Sequence, residues 1–572
     1  MRKIFSVLLG LIVTATSLSL FGCGGDGGES IDPNKTQVYI SVLELGVGRE
    51  FADSLKAKYE AAHPDVQVIV EQRGGEADGP SAISTIRDSK YDIYFMYNFY
   101  LTDYVSVKNQ ASDYLADITD IVTEKGDDGL SIEDKMYGSY KTYHNVGTEE
   151  SSKYFTLPWY SAYFGTVYDV DLFDEMGYYF DDRGDIIGRE GTIIEEEGIR
   201  KFVETESGEV HSLGVGPDGV AGTVDDGLSY TWEDFKVLLD YMSGNDDICP
   251  FTWTSYEGYV PEYLSSIWAN YEGADNYSIL QTFDGTYKAT GQEDLVIDKS
   301  NGYEVAFQNG KKAALTFAEY IIRNKMYSTA AINTSQTHLK AQTEYLKSVR
   351  SSKSKRIAFL MEGNWWEKEA VATFKEMAST YGSEYAYKTR RFGYMPFPQF
   401  IGSTDVPDQV NTKSVIASGA VANQCPTVAI NKNSKHLELA KDVLKFAYSD
   451  EMNADFTMQS GVMRPFEYSM TDEQLSTLSY FQKNMWDIAH SENVEKVCGY
   501  NRTDCIVVSS SFIESICKFD SYIGNTKYTN PLEAFSINTN LTVDDYFAGI
   551  DKIGTNSSLK TLAEVWASKF NK

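Results

Sequence analysis

The sequence has little positive charge: 51 lysines and arginines stand against 83 aspartates and glutamates over 572 residues, a formal net charge of -32. A field of that sign repels phosphate backbones and anionic lipid surfaces, which removes nucleic acid from the expected partners. Catalytic signatures are missing as well. There is no C-x-x-C pair, no G-x-S-x-G elbow and no P-loop lysine motif. The histidines, His63, His144, His211, His338, His436 and His490, show no H-E-x-x-H or similar metal spacing, which argues against a catalytic zinc. No internal repeat is present, and beyond the N-terminus no stretch is long and apolar enough to cross a bilayer. What remains is an ordinary globular composition, 42% hydrophobic and 23% charged, long enough for several domains or two large lobes.

The N-terminus is built differently. "MRKIFSVLLGLIVTATSLSLFG" has a short basic start, an apolar run and then small or polar residues, the layout of a secretory signal. Followed by Cys23, the run Leu20-Phe21-Gly22-Cys23 resembles the lipobox of a bacterial lipoprotein, although Phe21 stands where a small residue is usual. The resemblance implies cleavage after residue 22 and diacylation of the Cys23 thiol, which would fix the chain to the outer face of the cell membrane. An uncleaved membrane anchor over residues 4–21 is the alternative. Residues 23–35, beginning "CGGDGGES", have the composition of a flexible tether. Without Cys23, five cysteines remain: Cys249, Cys425, Cys498, Cys505 and Cys517. At least one stays unpaired in a monomer. A Cys498–Cys505 bridge across their short loop and buried thiols are the two accounts of the rest.

Along the chain, "VYISVLEL" (38–45) reads as a strand, and "GVGREFADSLKAKYEAAHPD" sets Phe51, Leu55 and Tyr59 on one helical stripe. "VQVIVE" and "YDIYFMY" follow as strands. Strands joined by helical crossovers build parallel sheets covered by helices. Residues from 178 to 227 are glycine-punctuated hairpins, an insertion on a larger α/β body. Thr231 and Asp234 have capping-box spacing ahead of Phe235, Leu238 and Leu239. "RIAFLMEG" (356–363) is a strand leading into a helix that begins "NWWEKEA". Ser434 is expected to cap a helix after "TVAI".

Four segments in this order, "GVGREFADSLKAKYEAAHPDVQVIVE", "LPWYSAYFGTVYDVDLFDEMG", "AFLMEGNWW" and "VAINKNSKHLELAKDVLKFAYSDE", resemble the extracellular solute-binding proteins of carbohydrate ABC importers, the group that includes maltose-binding protein. Asp169 departs from the asparagine usual in that pattern, and the hairpin insertion and long C-terminus exceed the family core. The resemblance implies a two-lobe, hinge-connected α/β fold of the periplasmic-binding-protein type II kind, with the hairpin insertion in lobe two. Lobe one is expected at 36–158 and 412–462, and lobe two at 159–411 and 463–572.

A pyranose has one apolar C–H face and a rim of hydroxyls, so it needs a flat aromatic surface ringed by polar groups. Trp365 matches the position of a cleft tryptophan in the maltose-binding pattern, while Trp366, its neighbour, must point elsewhere. The other candidates are Trp159 and Tyr160 at the lobe crossing, and Tyr263 at a helix start resembling the family's stacking position. Tyr97 and Asn98 end the third strand, where open α/β sheets bind ligands. Glu44 ends the first strand, and Arg464 follows a later crossing, with a salt bridge as its alternative role. In "GPDGVAGTVDDG", Asp218, Asp225 and Asp226 offer oxygen ligands to a calcium ion, against simple Asp-Gly turns. No other cofactor is expected. The basic run "KSVRSSKSKR" (347–356) reads as a solvated loop.

The expected function is capture of an oligosaccharide between the lobes and its delivery to ABC permease subunits by a lipid-anchored monomer that catalyses nothing. The alternatives are a glycoside hydrolase, which needs two carboxyl groups flanking the scissile bond, and a surface glycan-binding adhesin unlinked to transport.

Overall fold

The computed structural model describes residues 30–43, 46–73, 86, 89–96, 114–148, 150–196, 199–255, 258–351, 354–418, 426–499, 510–555 and 558–570. Its strands as far as residue 498, in chain order, are β1 (Thr36–Leu43), β2 (Val66–Arg73), β3 (Ile93–Met96), β4 (Thr156–Pro158), β5 (Phe164–Asp169), β6 (Gly191–Glu196), β7 (Ile199–Glu204) and β8 (Val210–Ser212). There follow β9 (Ile248–Trp253), β10 (Gly285–Tyr287), β11 (Leu295–Ile297), β12 (Arg356–Gly363), β13 (Phe392–Met395), β14 (Ser414–Ser418), β15 (Thr427–Ile430) and β16 (Val494–Cys498).

Two sheets organise two lobes. The first has the order β2-β1-β3-β15-β4, with β1 parallel to both β2 and β3 and β15 antiparallel to its neighbours. The expected β-α-β unit is its beginning: helix Glu50–Ala62 buries Phe51, Leu55 and Tyr59. The second sheet has the order β13-β5-β12-β9, with β12 antiparallel to β5 and parallel to β9. Its strands are buried along their length, as sheets covered on both faces require. Helix Trp232–Ser243 lies against it, opened by the Thr231/Asp234 capping box that the spacing predicts. The hairpin insertion forms a separate three-stranded sheet, β6-β7-β8. No helix among the described residues is long and apolar enough to cross a membrane.

Three local details add to the sequence reading. β14 pairs in parallel with β16, and Arg464 and Phe466 pack on Tyr448. Ser434 does not cap a helix. Its hydroxyl accepts from His436 N and donates to Asp92 Oδ1, closing a turn before helix Leu437–Ala447 begins. Asp169 has a reason of its own: at 2% exposure it caps helix Val170–Met176 and pairs with Arg390 at 2.7 Å and Arg356 at 3.0 Å.

Candidate functional site

β12 ends at Gly363, and Asn364 turns the chain. The Asn364 side chain accepts from Tyr163 N at 3.2 Å and donates to Ser161 O at 3.1 Å, while its own N–H donates to Tyr163 O. The turn is thereby tied to the segment that carries the chain from β4 of the first lobe to β5 of the second. From this turn the two indoles diverge. Trp366 is fully buried among Tyr345, Phe374, Phe392 and Phe481. Trp365, 9% exposed, stands edge-on to Phe164 with ring centres 4.9 Å apart. On its other side is the first lobe. A Cβ added to Gly46 would come within 2.7 Å of the Trp365 ring, so only glycine admits this close approach. Lys368 also reaches across, donating to Glu50 Oε1 and to Gln459 O in the first lobe. Trp365 therefore lies at the seam between the lobes, and Trp366 anchors it.

Around Trp365 runs a continuous set of groups. Phe164 meets Tyr259 at 5.6 Å, edge-on, and Tyr259 lies parallel to the His338 ring at 5.8 Å. His338 Nε2 is 3.5 Å from Glu369 Oε1. The Gln342 amide donates to Glu369 Oε2 at 2.6 Å and to Glu362 Oε2 at 3.4 Å, and Glu362 Oε1 accepts from Gly363 N. Gln342 Oε1 is buried with no donor among the described residues. Burial holds the Glu362 carboxyl well above the usual range, with the charge of Glu369 adding to it. Glu262, also buried, is pushed up to about 8 by that burial. Aromatic faces beside carboxyl and amide groups are the two components a sugar site needs.

Of the residues in this set the sequence singled out Trp365 and not Phe164, Tyr259, His338, Gln342, Glu362 or Glu369. One signal was available: Glu362 is an acidic residue inside the otherwise apolar run "AFLMEG". The remaining candidates lie elsewhere. Trp159 is wholly buried in the first lobe, its Nε1 donating to Met96 O at 2.7 Å and its ring against Phe51, Phe95 and Phe456. Tyr160 packs edge-on against it. Tyr263, 1% exposed, bonds Thr166 Oγ1 at 2.7 Å and packs on Phe317 inside the second lobe. Arg464 is buried over the Tyr448 and Phe456 rings, donating to Ala447 O and Asn453 Oδ1, and its Nε has no acceptor among the described residues. These four side chains fill the interiors of their lobes. Glu44, Tyr97, Asn98 and Cys23 lie outside the described residues. Cys249, Cys498 and Cys517 are buried, and Cys505 is outside the described residues.

The three aspartates of the 216–227 loop, read as calcium ligands or as turn formers, are all buried. Asp218 Oδ1 accepts from Val220 N, Asp225 from Asp218 N and the Thr223 hydroxyl, and Asp226 Oδ2 from Gly222 N. These bonds hold the loop's own turns, Ser491 donates to Asp218 Oδ2 from outside it, and Asp226 Oδ1 has no partner among the described residues.

Glu262 yields a pH prediction. The folded chain keeps its proton up to about pH 8, while the unfolded chain releases it near 4.5. Stability from this group is whole below the unfolded value and is lost as pH rises through the folded one. Glu262→Gln should match wild type in thermal melts at pH 4.5 and exceed it at pH 9, by on the order of a few kcal/mol. A constant difference between the two pH values would show that Glu262 does not titrate this way.

No curated protein matches the sequence. Residues 45–185 match the family described as bacterial extracellular solute-binding protein. Among solved structures, the sugar-binding protein MalE from the phytopathogen Xanthomonas citri gives a TM-score of 0.53 at 11% identity, over 93% of this chain and 98% of that one. Maltose-bound MalE3 of T. maritima gives 0.50 at 13% identity, over 90% and 98%. The chain is thus a two-lobe α/β protein of the periplasmic-binding-protein type that carries, over residues 45–185, the sequence signature of the bacterial extracellular solute-binding proteins.

Proposed function

We propose that this protein is a lipid-anchored, extracytoplasmic binding protein that captures an oligosaccharide between its lobes and hands it to an ABC permease without catalysing a reaction. The observation that carries the reading is the position of Trp365, at the seam of the lobes with Phe164 and Tyr259 beside it and Glu362, Gln342 and Glu369 next to them. The family matched by residues 45–185 and the sugar-binding proteins of the same fold support it.

The energetics require both kinds of group. Aromatic contacts of this sort contribute about 0.5–1.5 kcal/mol each, so three supply roughly 2–4 of the about 8 kcal/mol that micromolar affinity needs. Hydrogen bonds from carboxyl and amide groups, sheltered from water when the lobes meet, supply the remainder. Hinge closure of this type is a known mode of periplasmic binding proteins.

The test is calorimetric titration of the chain against a panel of oligosaccharides, with chromatography of the mixture afterwards. Saturable binding with intact glycan supports the reading. Released shorter sugars would replace it with a hydrolase, and the absence of binding across the panel would remove carbohydrate as the ligand. For the anchor, Cys23→Ala expressed in a bacterium should move the protein from the membrane fraction to the soluble extracytoplasmic fraction. Retention on the membrane would favour an uncleaved N-terminal segment.

A further inference from the structure

We propose that the turn joining β7 and β8 is a binding site for a divalent transition-metal ion of the zinc class, held by Glu204, Glu209 and His211. In the β7–β8 ladder Phe202 pairs with His211 and Val203 with Val210. The bond from Glu204 N to Glu209 O, 3.0 Å, adds one more rung. Side chains alternate across a sheet, so Phe202, Glu204, Glu209 and His211 share one face. The fold thereby sets two carboxylates directly opposite each other, an arrangement that is destabilising by itself. Neither is paired with a lysine or arginine among the described residues.

The third group makes this pair a ligand set. His211 Nε2 is 3.4 Å from Glu204 Oε1 and 4.0 Å from Glu209 Oε2. The three ligand atoms all lie within 4.8 Å of one another. Nε2 is shielded from solvent, yet it hydrogen-bonds neither carboxylate. A tetrahedral zinc-class ion with bonds of about 2.0–2.2 Å holds its ligands roughly 3.3–3.6 Å apart, so small side-chain adjustments close the set without moving the backbone. The surroundings fix its parts. The Ser207 hydroxyl donates to Glu204 Oε2 at 2.8 Å, leaving Oε1 turned to the histidine, and the Phe202 ring lies beside the imidazole at 6.0 Å. Such outer contacts orient ligands for an ion. One nitrogen and two carboxylates suit zinc-class ions better than calcium, which takes six to eight oxygens.

The spacing E-x-x-x-x-E-x-H has no meaning along an extended chain; only the hairpin brings its members together. The site shares no residue with the set around Trp365.

Titration of the full chain with cobalt chloride, followed by visible absorption and then by zinc displacement, tests this assignment. One equivalent of cobalt should bind, zinc should displace it, and His211→Asn and Glu209→Gln should each weaken binding at least tenfold. Glycan titration should be unchanged in both variants, and in EDTA Glu209→Gln, which relieves the like-charge pair, should melt no lower than wild type. A trio that only pairs a protonated imidazole with two carboxylates takes up no cobalt, and that result overturns the proposal. So does uptake that is the same in wild type and both variants.

Discussion

Trp365→Ala should lower the affinity for a bound oligosaccharide at least tenfold, about 1.4 kcal/mol, with a smaller loss of thermal stability than Trp366→Ala. The asymmetry follows from where the indole stands. It packs on Phe164 on one side and approaches Gly46 on the other and keeps some exposure, so its removal opens the seam. Calorimetry is the right readout, because the substitution also removes the fluorophore that would report binding. The neighbouring residue gives the control. Trp366 is enclosed by Tyr345, Phe374, Phe392 and Phe481, and truncating a buried tryptophan costs about 3–5 kcal/mol. Trp366→Ala should therefore lower the melting temperature sharply, the reverse of the Trp365 pattern. Unchanged affinity in Trp365→Ala would take the indole out of the site.

The second large effect is on stability. Asp169→Ala should destabilise the protein by about 3–5 kcal/mol, the range for breaking a buried ion pair by removing one partner. Asp169 and Arg390 are 2% and 7% exposed, and Arg356 shares the same carboxylate oxygen. Truncation strands the buried Arg390 charge, with the Leu346 carbonyl its one remaining hydrogen-bond acceptor among the described residues. Asp169→Asn separates the two roles of the residue, because asparagine retains helix-capping ability while losing the charge. Its melting temperature should fall between those of wild type and Asp169→Ala. An Asp169→Ala protein that melts like wild type would show that the arginines find other partners.

The same residue shows what the sequence revealed and what it did not. Read along the chain, Asp169 is a departure from a familiar asparagine. Its cause lies at Arg356 and Arg390, 187 and 221 positions away, and nothing local announces them. That Trp365 and Trp366 point to different surroundings was legible, because adjacent residues at a strand end cannot face the same way. So were the first β-α-β unit, the Thr231 capping box and the hairpin insertion, which rest on local periodicity and turn chemistry. The polar part of the site was not. Tyr259, His338, Gln342, Glu362 and Glu369 come from three helices and a strand that only tertiary packing brings together. The burial of Trp159, Tyr160 and Tyr263 was not legible either: aromatic residues near a crossing are also what a lobe uses to fill its core.

A crystal structure of the protein with an oligosaccharide that binds in the calorimetric panel tests the central claim most directly. The account predicts a sugar ring between the lobes, its C–H face on Trp365 and its hydroxyl groups bonded to Glu362, Gln342 or Glu369. A glycan bound elsewhere, with Trp365 still closed against Gly46, would contradict it.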